Sequence, residues 1–157
     1  MHTIVSSYTK SELESKYLNS NDSNGHRFFS HILDSIKRSN VFYEQPSGKR
    51  DKMVFACLIL DSYFSLSTNR LMLHTALGNG YSFPKLGIFG SHLLHAWPEN
   101  ENELIGRFTD TRRLDFSQLA NDDSSTKYKA LNTGIGACLH ELGHALKLGK
   151  FNFFRFG

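Results

Sequence analysis

The sequence predicts an α+β fold, and three features predict it. Apolar residues recur at helical spacing over residues 26–38 and again over 127–148, and between them lies an apolar, proline-bounded stretch at 86–97 that reads as a strand. At 157 residues the chain is one domain or a piece of one. Its 39% hydrophobic content and 13 Phe supply enough apolar material for a core, which excludes wholesale disorder. A net charge of +3 is too small to argue for nucleic acid. No apolar run approaches the roughly 18–20 residues of a membrane span, so no membrane partner is expected. The N-terminus lacks the basic and apolar regions of a secretion signal, which points to an intracellular, cytoplasmic protein. The two cysteines, Cys57 and Cys138, each sit in an apolar run and are expected as buried free thiols.

Taken in order, Ser11 to Leu18 reads as a short helix with Ser11 as cap and Glu14 closing a capping box. Asn19 to Gly25 is a polar loop. In 26–38, Phe28, Phe29, Ile32, Leu33 and Ile36 mark one helical face. Pro46 to Lys52 is a break. Met53 to Leu60 is eight consecutive apolar residues, and its length and few β-branched side chains favour a helix. Gly78-Asn79-Gly80 is a turn. Leu86 to Trp97, between Pro84 and Pro98, is assigned as an edge strand. A short helix over Asn102 to Phe108 and a polar loop over Asn121 to Thr126 follow. From Lys127 to Leu148 the residues Leu131, Ile135, Cys138, Leu139, Leu142, Ala145 and Leu146 form one helical stripe. Gly134 and Gly136 weaken this helix by roughly 1 kcal/mol each relative to Ala, but leave room for a neighbouring backbone.

His140-Glu141-Leu142-Gly143-His144 lies in the middle of this stretch. Two histidines four apart lie one turn above each other on a helix, so both imidazoles can converge on one ion. Glu141 is one step round, where its carboxylate stands beside the ion and suits a general base for a zinc-activated water. The competing reading is an ordinary pair of surface histidines on an amphipathic helix. The in-phase apolar stripe weighs against it.

HELGHALKLGK resembles the extended HExxHxxGxxH pattern of metzincin-like peptidases. GIFGSHLLHAWPEN, RFTDTRRLD and GIGACLHELGH together are similar to a zinc metallopeptidase family of fungi and invertebrates, over about Leu86 to Gly149. The resemblance implies a zincin-like upper, N-terminal subdomain: a mixed sheet with helices, ending in the HExxH helix. By position it makes His140 and His144 zinc ligands and Glu141 the catalytic base. The strand around Ile88 to Trp97 then becomes the cleft edge on which a peptide or protein substrate lies, as an added strand.

Two positions depart from the pattern. Lys147 stands where the pattern has Gly, and Lys does not favour the left-handed conformation needed to leave the helix; Gly149 is the expected substitute. Lys150 stands where the third His belongs and cannot ligate zinc as an ammonium. Nothing acidic follows His144. His74, His92 and His95 are expected as packed or surface histidines, with His92 and His95 on opposite faces of a strand. The Phe-rich residues 150–157 fit no part of the family and read as a non-native tail.

The expected chain is therefore a single partial domain over 1–157, with a zincin-like segment over 86–149 and the lower subdomain absent. Its function is zinc-dependent peptide hydrolysis, inactive in this copy for want of the third ligand. The alternative is a non-catalytic zincin-like module that binds metal weakly, or partners through an edge strand. Nucleic-acid binding through Arg107, Arg112 and Arg113 is weaker than either, since three arginines are few and suit structural or solvated roles.

Overall fold

The computed structural model describes residues 2–18, 25–115 and 125–148. The expected loop over 19–24, most of the polar loop at 121–126, Lys150 and the tail lie outside these residues. Four helices come first: α1 (Lys10–Leu18), α2 (His26–Arg38), α3 (Asn40–Tyr43) and α4 (Ser47–Arg50). Five strands follow: β1 (Val54–Ile59), β2 (Tyr63–Ser65), β3 (Arg70–Met72), β4 (Leu77–Asn79) and β5 (Lys85–Gly90). Two 3-10 helices (Ser91–Ala96 and Glu101–Glu103), α5 (Leu104–Phe108) and α6 (Lys127–Ala145) complete the fold. The architecture is α+β with a mixed sheet, as the sequence predicts.

The main sheet has the order β1-β5-β4, with β1 parallel to β5 and β4 antiparallel to it. Met53 to Leu60 is thus a strand and not a helix. A strand of a parallel pair that packs apolar side chains reads as a continuous hydrophobic run, which periodicity alone cannot separate from a buried helix. The 86–97 stretch is also corrected: β5 stops at Gly90, is central rather than an edge, and continues as a 3-10 helix. Its bounding prolines lie outside the strand, so they place no limit on its pairing. Gly78 and Asn79 belong to β4, and the turn comes after them, where Asn79 Oδ1 accepts from the N–H groups of Tyr81 and Ser82 at 2.8 and 3.1 Å.

Alternation along β5 assigns the two faces of the sheet. Leu86 and Ile88, both fully buried, point to one face and meet Phe29 and Ile36 of α2, together with Phe42. Gly87 points to the other face, against α6. Beyond the carboxyl end of β5, Leu93 and Ala96 pack on Ala130 and Leu131 of α6 and on Leu114. The antiparallel hairpin β2–β3 stands apart from the main sheet.

The expected helix at 11–18 begins one residue earlier, and its capping box lies two residues earlier, at Thr9 and Glu12 in place of Ser11 and Glu14. The N–H of Thr9 donates to Glu12 Oε2 at 2.8 Å, and the N–H of Glu12 donates to Thr9 Oγ1 at 3.3 Å. Helix α2 has the predicted bounds, and Gly25 precedes it at φ 65°.

Arg107 pairs with Glu103 at 3.0 Å, and Arg112 grips Asp110 through two nitrogens at 2.8 and 2.6 Å. Arg113 makes a β-bridge with Thr126. These contacts hold the segment before α6 in place, with the N–H of Lys127 donating to the carbonyl of Arg112 at 3.0 Å. Cys57 and Cys138 are free and half-buried. Among the described residues, no helix is long and apolar enough to cross a membrane.

Candidate functional site

Helix α6 lies against β4 and β5, and the glycines that permit its approach are in the sheet. A Cβ on Gly78 would collide with the backbone carbonyl of Glu141. One on Gly87 would stand 3.0 Å from the same oxygen, and one on Gly80 would stand 2.8 Å from the carbonyl of His144. The glycines of the helix do less: Gly134 admits Trp97 and Leu93 side chains, and Gly136 has nothing within 4 Å of its missing Cβ. The close backbone approach expected from the helix glycines is therefore supplied by the strands.

This contact sets the rotation of α6. Ala130, Leu131, Gly134 and Ala145 are buried, while Leu139 and Leu146, assigned to the apolar stripe, are 55% and 52% exposed. Glu141 falls on the sheet side and is half-buried; His140 and His144 are exposed.

The two imidazoles meet. His140 Nε2 and His144 Nε2 are 3.0 Å apart, with the rings nearly perpendicular at 89°. Two nitrogens bound tetrahedrally to one zinc ion at about 2.0–2.1 Å would be about 3.3–3.4 Å apart, so the pair is set close to a shared ion's requirement. Burial raises the Glu141 carboxyl above its usual range, opposed by His140, His144 and a hydrogen bond from the Gly78 N–H. The donor set thus fits two positions of a zinc shell with a carboxylate alongside. Among the described residues, no group of three or more His, Cys, Asp or Glu side chains comes together to hold a metal.

Helix α6 ends in a way the sequence did not suggest. Lys147 itself takes the left-handed conformation, with φ 58°. The Leu148 N–H donates to the Gly143 carbonyl at 2.9 Å and the Lys147 N–H to the His144 carbonyl at 3.0 Å, the paired bonds of a Schellman cap.

His74 and His92 are not part of this site. Their rings meet each other at 4.6 Å, and both Nδ1 atoms are buried without a hydrogen-bond partner. Burial lowers each imidazole to about 4, with His74 and His95 adding to the effect at His92. His92 and His95 lie on a 3-10 helix, where residues three apart share a face, so their expected separation on a strand is overturned. The His95 ring nitrogen Nδ1 lies 3.0 Å from the His92 carbonyl. The meeting of His74 and His92 depends on the path of the link between β3 and β4, which carries no local sequence signal.

An α+β domain that carries an HExxH helix on its sheet has the pattern of the metallopeptidase class. The family described as "Putative peptidase family" matches residues 1–151, and the chain belongs to it. It is 34% identical over 152 residues to a "Putative zinc metalloproteinase" of Saccharomyces cerevisiae, covering 93% of this chain and 21% of that protein. It is 47% identical over 94 residues to a protein of the same description from Schizosaccharomyces pombe, covering 59% of this chain and 15% of that protein. The chain thus spans about a fifth or less of the length of these relatives. No solved structure matches.

Proposed function

We propose that this chain is the zinc-binding, N-terminal part of a zincin-like metallopeptidase, with His140 and His144 as metal ligands and Glu141 as general base. The observation that carries the reading is the 3.0 Å approach of the two Nε2 atoms, one step round α6 from Glu141. Zinc, when bound, supplies the Lewis acidity that makes a water acidic near neutral pH. Glu141 would serve as the general base, taking a proton on a carboxylate oxygen, and burial beside the sheet raises its affinity for that proton. The cleft edge moves to β4, since β5 has partners on both sides and β4 has a free edge among the described residues. A peptide substrate pairs there as an added strand.

Two histidines alone would hold zinc weakly, and Lys150 adds no ligand as an ammonium. That shortfall favours, as the second reading, a non-catalytic module; the segments at 86–149 and 150–157 keep their proposed roles of zincin-like region and non-native tail. The test is zinc titration of the chain and of its Lys150→His variant. Lys150→His is expected to bind zinc more tightly than the parent, and His144→Ala to lose it in both backgrounds. Chelator-sensitive peptide hydrolysis in the Lys150→His protein is expected to fall about 10²–10⁴-fold in Glu141→Gln. Zinc uptake indifferent to His140 and His144 would overturn the reading.

A further inference from the structure

Just past the carboxyl ends of the parallel strands β1 and β5 lies a second cluster of ligating atoms. Gly90 closes β5, and a Cβ placed on it would stand 2.5 Å from His74 Nδ1, 2.7 Å from Ser62 Oγ and 2.9 Å from His92 Nδ1. Three polar atoms from three separate segments therefore converge beside Gly90, at distances that leave no room for a side chain there.

The cluster is built rather than incidental. Ser62 is buried, and its Oγ accepts from the His92 N–H at 3.1 Å. Ser91 Oγ lies 3.4 Å from Ser62 Oγ and donates to the Leu60 carbonyl at 3.0 Å. Phe89 packs its ring against both imidazoles, edge-on to His74 at 5.4 Å and tilted to His92 at 5.6 Å. Against this packing, the two Nδ1 atoms are buried and unpartnered. A buried nitrogen without a partner is costly, and here two converge beside Gly90.

We propose that His74 Nδ1, His92 Nδ1 and Ser62 Oγ form a second site for a divalent transition-metal ion of the zinc class, separate from the HExxH pair. Neutral imidazole nitrogens are ligands such ions favour, and a cation satisfies several converging lone pairs at once. No carboxylate joins the set, and the site binds more weakly than a structural zinc site.

The experiment uses the full chain carrying His140→Ala and His144→Ala, so its outcome does not depend on the HExxH reading. The protein is stripped with chelator and titrated with zinc alone, followed by the ¹⁵N resonances of its imidazoles. One equivalent is expected to bind, shifting the Nδ1 signals of His74 and His92, and Ser62→Ala is expected to weaken it several-fold. His74→Gln and His92→Gln are each expected to abolish it. No uptake, or uptake that leaves both Nδ1 signals in place, overturns the proposal and assigns the space to a buried water only. The resonance readout needs no substitution at the site, so it decides the matter even where a variant fails to fold.

Discussion

The ammonium of Lys147 lies 4.1 Å from the centre of the Tyr81 ring, and the lysine stem packs on Gly80. The contact joins the end of α6 to the turn that follows β4, and it offsets the left-handed backbone that Lys147 adopts. A cation over an exposed ring contributes about 0.5–1 kcal/mol, while a non-glycine residue in this region costs about 1–2 kcal/mol.

Lys147→Gly is therefore expected to leave stability within about 1 kcal/mol, since it relieves the backbone as it loses the ring contact. Lys147→Ile keeps apolar bulk but adds a β-branch at positive φ, and is expected to destabilise by more than about 1 kcal/mol. Denaturant melts of the three proteins check both values. An isoleucine variant as stable as the parent would contradict the Schellman geometry.

Gly78→Ala is expected to be severe, because the new methyl and the Glu141 carbonyl would occupy the same place. The helix must shift or the strand must peel, a disruption of about 2 kcal/mol or more by analogy with overpacked cores. Gly87→Ala, whose methyl would stand 3.0 Å from that oxygen, is expected to cost less. Urea unfolding of the two variants gives the order, and equal costs would show that the helix is not seated as described.

Leu139 of α6 and Leu146, the residue that caps it, stand about half exposed, as does Leu148 at 47%. An apolar row of this kind promotes self-association. The double variant Leu139→Gln, Leu146→Gln is expected to raise the soluble, monomeric fraction and to change the unfolding free energy by no more than about 1 kcal/mol. Sedimentation and thermal melts read the two effects separately. A large loss of stability would mean that these leucines are packed after all.

Burial holds His31, His74, His92 and His95 below the ordinary imidazole value. In the unfolded chain each takes up a proton near pH 6.5, and in the folded protein only at lower pH. Metal-free protein is therefore expected to keep constant stability from these groups above about pH 7. It loses stability as pH falls from about 6.5 toward 4, after which His74 and His92 contribute no further slope. His74 alone accounts for on the order of 2–3 kcal/mol of that loss. Denaturant melts from pH 8 to 4 test the sign; stability that rose on acidification would refute it.

How legible all this was depended on the range of the physical cause. Helix α2 was readable to the residue because Phe28, Phe29 and Ile36 face one way and are buried. The pairing of His140 with His144 was readable too, since a four-residue spacing on a helix is a local fact. Met53 to Leu60 was misread because its strand identity comes from β5, distant in sequence. Lys147 was misjudged for a related reason: its positive φ is supported by Tyr81 and Gly80, which no local pattern brings into view. The His74–His92 contact likewise exists only once β4 has folded back along β5.

The seating of α6 on Gly78, Gly80 and Gly87 has a consequence for how the site would appear to mutagenesis. Its alignment is written in atoms that are missing, so a survey that trims side chains to alanine finds little at the histidines' neighbours and interprets the strands as bystanders. The informative survey adds atoms instead. A single methyl on β4, touching neither imidazole, displaces Glu141 and the turn that carries His144 together, and so acts on the whole site through the backbone.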